Sequence, residues 1–95
     1  SKPTAILQNM SDQVLIFERG SLIFIFNFNP NTSFTDYGFG ALSGEYKIVL
    51  NSDNNKFGGF NRNNDDVNPQ TQNENNVNML KLYLPSRSAT VIKKQ

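Results

Sequence analysis

Between Leu22 and Phe28 the chain reads Leu-Ile-Phe-Ile-Phe-Asn-Phe, with Leu22, Phe24, Phe26 and Phe28 at every second position. An extended strand turns alternate side chains to opposite faces, so this spacing commits the stretch to a β-sheet and puts the four large residues on one side. That side is expected to face the core. Ile23 and Ile25, then Asn27 and Asn29, take the other side, as in a central strand covered on both faces at its start and wetter towards its end. Burying the four residues would contribute about 6–12 kcal/mol before entropy is subtracted, and Phe26→Ala would cost about 3–5 kcal/mol. With 95 residues the chain has room for one such core.

The neighbouring segments carry the same kind of signal. Residues 13–18 read as a strand, with Val14 and Ile16 on one side and Leu15 and Phe17 on the other, and Arg19-Gly20 is expected to turn the chain into the long strand as a hairpin. Residues 1–12, including the mixed run Ala5 to Met10, are expected to be a linker. Pro30 should end the long strand. Phe34 to Gly40 suggests a short irregular edge strand, and Glu45 to Asn51 a half-buried one with Tyr46, Ile48 and Leu50 inward. Asn then dominates, and a long exposed loop is expected at 61–78. Leu80, Leu82 and Leu84 alternate with Lys81 and Tyr83, Pro85-Ser86 turns, and Ala89 and Val91 share a face, so a second hairpin is expected to close the domain. Short strands separated by turns predict an all-β antiparallel sandwich or barrel.

Composition narrows the chemistry. A net charge of +1 leaves no footprint for nucleic acid, and no apolar run is long enough for a membrane-spanning helix. Without Cys or His, thiolate chemistry and the commonest general base are excluded, and an intracellular setting is the expectation. The chain opens on Ser1, which suggests a piece of a larger parent. Asp53, Asn55 and Gly58 imitate part of a calcium loop, but Phe57 and Asn64 occupy ligand positions, so no metal is expected. The acidic residues are read as solvated charges rather than a paired acid and base. Ser52-Asp53-Asn54 lacks the companion motifs of a β-lactamase, and no cofactor motif is present. Tyr37, Phe39, Phe57 and Phe60 could stack on sugars, although packing is the favoured reading.

Four blocks, in order, carry a family likeness. They are Val14-Leu15-Ile16-Phe17-Glu18-Arg19-Gly20 with Leu22 to Phe28, Gly44 to Leu50 with Ser52-Asp53, Phe57-Gly58-Gly59-Phe60 with Arg62, and Tyr83-Leu84-Pro85-Ser86-Arg87. Together the stretch from about Gln13 to Ile92 resembles the C-terminal all-β domain of eukaryotic 1,4-α-glucan branching enzymes, of the α-amylase superfamily. Asn29 stands where that family usually has His, Asn51 where Asp is common, and the stretch after Arg62 is unusually rich in Asn. The resemblance implies an antiparallel Greek-key β-sandwich docked on a catalytic (β/α)₈ barrel of the same parent chain. It implies a parent that cleaves an α-1,4 link in a glucan and rebuilds it as an α-1,6 branch, in the cytoplasm or a plastid. The family's catalytic residues lie in the barrel, and none maps onto this chain. Residues 13–95 are then a non-catalytic domain stabilising the barrel, with Phe34, Tyr37 and Phe39 as expected docking residues. The alternative is a glucan-binding accessory module using Phe57, Phe60 and Arg62.

Overall fold

The computed structural model describes residues 2–95. The first hairpin forms from β2 (Val14–Arg19) and β3 (Leu22–Asn27), with Arg19 opposite Leu22, so its two-residue turn is Gly20-Ser21, one residue beyond the expected place. Gly20 adopts φ +61°, a left-handed conformation that costs a residue without Cβ little. Upstream, β1 (Thr4–Asn9) pairs antiparallel with β2, so the expected linker contains an edge strand. Its turn is built by side chains: Asn9 Oδ1 accepts the Asp12 backbone N–H at 2.9 Å and Asn9 Nδ2 donates to Asp12 at 2.8 Å.

Six further segments complete the chain. They are β4 (Phe34–Gly40), β5 (Tyr46–Asn51), a 3₁₀ turn (Asn55–Phe57), β6 (Gln72–Glu74), β7 (Val77–Leu84) and β8 (Ser88–Lys94). The strands form two antiparallel sheets, one ordered β1-β2-β3-β8-β5 and the other β4-β7-β6. The last strand inserts between β3 and β5, a Greek-key connection, and the expected hairpin of β7 with β8 does not form. At Pro85-Ser86 the chain instead crosses from one sheet to the other. Val14, Ile16, Ile23, Ile25, Tyr46 and Ile92 of the larger sheet meet Phe39, Leu80, Leu82 and Leu84 of the smaller one, which makes an all-β sandwich with one core.

The long strand is central, but it faces the opposite way from the expectation. Ile23, Ile25 and Asn27 point into the sandwich, while Leu22, Phe24 and Phe26 are half-buried on the outer face and Phe28 is 59% exposed. Period two defines both faces equally well and does not say which one is covered. The covered side was marked by branched residues in register with Ile16 and Ile92, and by an amide that works as a tie. Asn27 is 1% exposed, and its Nδ2 donates to the carbonyl oxygens of Thr32 and Leu84 at 3.0 and 3.1 Å. In β5 the register shifts between Ile48 and Leu50, so Tyr46 is inward as expected but Leu50 turns out and Asn51 turns in.

Within the expected loop, residues 61–71 carry no strand or helix and are mostly exposed, but the chain there is held by hydrogen-bonded turns and enters β6 at Gln72. Asn51, Asn54 and Asn64 each accept the backbone N–H two residues on. Glu45 bridges to Gln70, Tyr46 N–H donates to Pro69, and β6 then pairs with the start of β7.

Candidate functional site

Two surfaces on the larger sheet and its turns could contact something outside the chain. The first is built around Asp53, which is 3% exposed, contrary to the solvated charge expected from the sequence. One carboxylate oxygen of Asp53 accepts from Arg62 Nε at 3.0 Å and Nη2 at 2.7 Å, and the other accepts the Arg62 backbone N–H at 2.6 Å. The Phe60 N–H adds a longer bond of 3.3 Å. Burial works to raise the Asp53 carboxyl pKa, but the hydrogen bonds from Arg62 and Phe60 and the guanidinium charge outweigh it and hold the group below its ordinary value. Arg62 in turn donates to the Ser86 hydroxyl and carbonyl at 3.1 and 3.0 Å, so one side chain fastens the 53–62 turn to the crossing at 85–87. Asn51 donates to Asp65 at 2.8 Å, a contact that an amide can make and a carboxylate cannot.

The turn needs glycine at two positions for different reasons. A Cβ on Gly59 would lie 2.3 Å from the Asp53 carbonyl atoms, so backbone approaches backbone there. Gly58 has open space but adopts φ +83° as it ends the 3₁₀ turn. The result is a shallow cleft of about 500 Å³ in which Phe57 and Phe60 stand either side of a bare Gly-Gly segment, with Arg62, Ser86 and Arg87 along its wall. Phe57 is 57% and Phe60 80% exposed. The cleft therefore brings together all three residues expected to contact substrate, Phe57, Phe60 and Arg62. Asp53 and Arg87, which share the cleft, were not expected there.

The second surface is the outer face of the five-stranded sheet. Cross-strand pairing sets Phe17, Phe24, Val91 and Leu50 in one row and Leu15, Phe26 and Ala89 in the next, with Phe28 beyond them. Phe17 stacks on Phe24 and Phe26, with ring centroids 5.0 and 5.8 Å apart, and Phe26 stacks on Phe28 at 5.5 Å. A third row, Arg19, Leu22, Lys93 and Lys47, gives one end of the face a cationic edge. Phe17, Phe24 and Phe26 are half-buried on this face, and Leu50 and Phe28 are 46% and 59% exposed.

The expected docking residues are placed differently. Phe39 is 2% exposed in the core and cannot meet a partner. Phe34 and Tyr37 are half-buried on β4, their rings 5.2 Å apart, and the Tyr37 hydroxyl donates to Asp12 at 2.9 Å. Alternation in a short Gly-containing segment could not separate these roles, because the chain breaks register between Phe34 and Tyr37 with Asp36 at φ +52°.

With this geometry established, comparison with known proteins places the chain. A family model described as the alpha amylase C-terminal all-beta domain matches residues 6–95, and the chain belongs to that family. It is 46% identical over 90 residues to the 1,4-alpha-glucan-branching enzyme of Aspergillus oryzae, which covers 90% of this chain and 13% of that protein. It is 44% identical over 90 residues to the enzyme of the same name from Saccharomyces cerevisiae, with the same coverage. The Candida glabrata enzyme is 43% identical over 93 residues, 94% of this chain and 13% of the relative. The chain thus spans about 13% of the length of these relatives. The resemblance in its four sequence blocks is a family relationship that covers nearly the whole domain.

Proposed function

We propose that this chain is the non-catalytic C-terminal domain of a 1,4-α-glucan branching enzyme, and that it stabilises the parent's catalytic barrel by docking through the outer face of the five-stranded sheet. The observation that carries the docking surface is the stacked Phe17, Phe24, Phe26 and Phe28 ladder, continued by Leu15, Val91 and Leu50, on a face where Phe28 and Leu50 are 59% and 46% exposed. Contiguous apolar surface of this kind is rare on a free-standing domain and is the usual mark of an interface. The relatives extend far beyond the matched segment, so a parent of that kind has the chain length to cover the face. The parent's reaction on this reading is the cutting of an α-1,4-glucan and its transfer to form an α-1,6 branch. The bond-breaking groups belong to the barrel, and this chain contributes support. The ladder takes over the role expected of Phe34, Tyr37 and Phe39.

The test is Phe24→Asp with Phe26→Asp, made both in this chain and in the full-length parent. Two desolvated carboxylates would oppose docking by several kcal/mol, while in the isolated chain both positions stay half open to water. The parent is expected to lose branching rate and more thermal stability than the same substitutions cost the isolated chain. An unchanged parent melting temperature and rate would rule the surface out.

A further inference from the structure

The cleft between the 52–62 turn and the 85–87 crossing lies off the phenylalanine ladder and is held by a buried clamp. Two phenylalanines this open on a turn cost solubility and contribute little packing. Their positions are nevertheless held. The Asp53–Arg62 clamp and the backbone contact under Gly59 fix the turn. The Arg62 guanidinium lies 5.2 Å from the Phe60 centroid and Lys56 Nζ lies 5.3 Å from that of Phe57, so a cation supports one face of each ring. Gly58 and Gly59 place no side chain between the rings.

The polar groups at the wall have capacity to spare. The Ser86 hydroxyl accepts from Arg62 and the Ser52 hydroxyl accepts from the Ala89 N–H, and neither O–H proton is donated to another of the described residues. Arg87 is exposed and makes no ion pair among the described residues. Apolar ring faces beside hydroxyl and guanidinium donors suit a ligand with a C–H face and a hydroxyl edge, which is the chemistry of a pyranose ring. An anion would use Arg87 but not the rings, since Arg62 is already neutralised by Asp53.

We infer that this cleft is a glucan-contact site, in which Phe57 and Phe60 stack on successive sugars of an α-1,4-linked chain and Ser86 and Arg87 hydrogen-bond their hydroxyls. The choice of an α-glucan rests on the branching-enzyme reading above; the choice of a saccharide rests on the cleft itself.

The experiment is an amide-resonance titration of the 95-residue chain with maltoheptaose, cellohexaose and sodium sulfate in parallel. Maltoheptaose is expected to shift Gly58, Gly59, Phe60 and Arg62 saturably at millimolar concentration. Phe60→Ala, at a position open enough to leave the fold intact, should weaken that binding about tenfold or more, and Phe57→Ala with Phe60→Ala should abolish it. No saturable shift with maltoheptaose, or a response insensitive to Phe60, overturns the site. An equal response to cellohexaose overturns the α-glucan assignment, and a response to sulfate alone overturns the saccharide assignment. Failure here would leave the parent's loss of stability on Phe24→Asp and Phe26→Asp intact, whereas failure of docking would leave these shifts intact.

Discussion

Glycine and aspartate in the 53–62 turn show how much depends on single positions. Gly59→Ala drives a Cβ into the Asp53 backbone, which cannot swing aside as a flexible side chain would, and is expected to cost about 3 kcal/mol or more. Gly58→Ala meets no atom within 4 Å and bears only the strain of its positive φ, about 1 kcal/mol. Urea melts of the two variants should separate them clearly; equal costs would mean that the backbone contact relaxes. Asp53 sets an acid limit. Its pKa is depressed in the folded state, so its contribution is complete above the unfolded value of about 3.9 and is lost as pH falls through the lower folded one. At neutral pH Asp53→Asn is expected to cost about 1–3 kcal/mol, a figure tempered by the partial exposure of Arg62. The stability gap between wild type and Asp53→Asn should close below about pH 4. A gap that stays constant from neutral pH to pH 2 would show that the pair carries no such linkage.

At the scale of elements, β3 carries a prediction that runs against its appearance. Ile25 is 1% exposed between the sheets and Phe28 is 59% exposed outside them. Ile25→Ala should therefore cost about 2–5 kcal/mol and Phe28→Ala less than about 1 kcal/mol in the isolated chain. Phe26→Ala, half-buried against Phe17 and Phe28, falls between them at about 1–2 kcal/mol, below what an inward position would require. The reverse order in denaturant melts would turn the strand over. In this domain most strands were legible, β1 and β6 excepted, and the covered face of β3 was not. Alternation in 13–18, 22–28 and 79–84 located β2, β3 and β7 within a residue or two. Tyr46 and Ile48 of β5 were placed correctly and Leu50 was not, because a bulge at Val49 changes the phase partway along. The stretch 61–78 was legible as a loop as far as 71, but β6 and the start of β7 were not, because Gln72 to Asn78 carries no apolar alternation and owes its strand geometry to cross-strand pairing.

For the whole molecule, the sandwich presents two outward features with separate tasks. The phenylalanine ladder with its cationic edge of Arg19, Lys47 and Lys93 runs across four strands and is the proposed seat of another domain. The Phe57–Phe60 cleft is shallow and lined by two exposed rings with polar groups along its wall. Both meet at the end of the sheet where β3 and β5 finish, since Ser52 pairs with Ala89 on the ladder side and also lines the cleft. A domain docked through the ladder would hold the cleft at the rim of the interface, beside its partner.

The amino-acid order alone determined the β class, the positions of most strands, the absence of thiol and imidazole chemistry, and the family, because each rests on local periodicity, residue identity or short motifs. The tertiary structure decided which face of β3 is covered, that Asp53 is buried against Arg62, that β7 and β8 belong to different sheets, and that Phe39 is core while Phe57 and Phe60 are open. Each of these depends on which distant segment supplies the opposing surface or the bonding partner, and alternation along a single strand looks the same from either side.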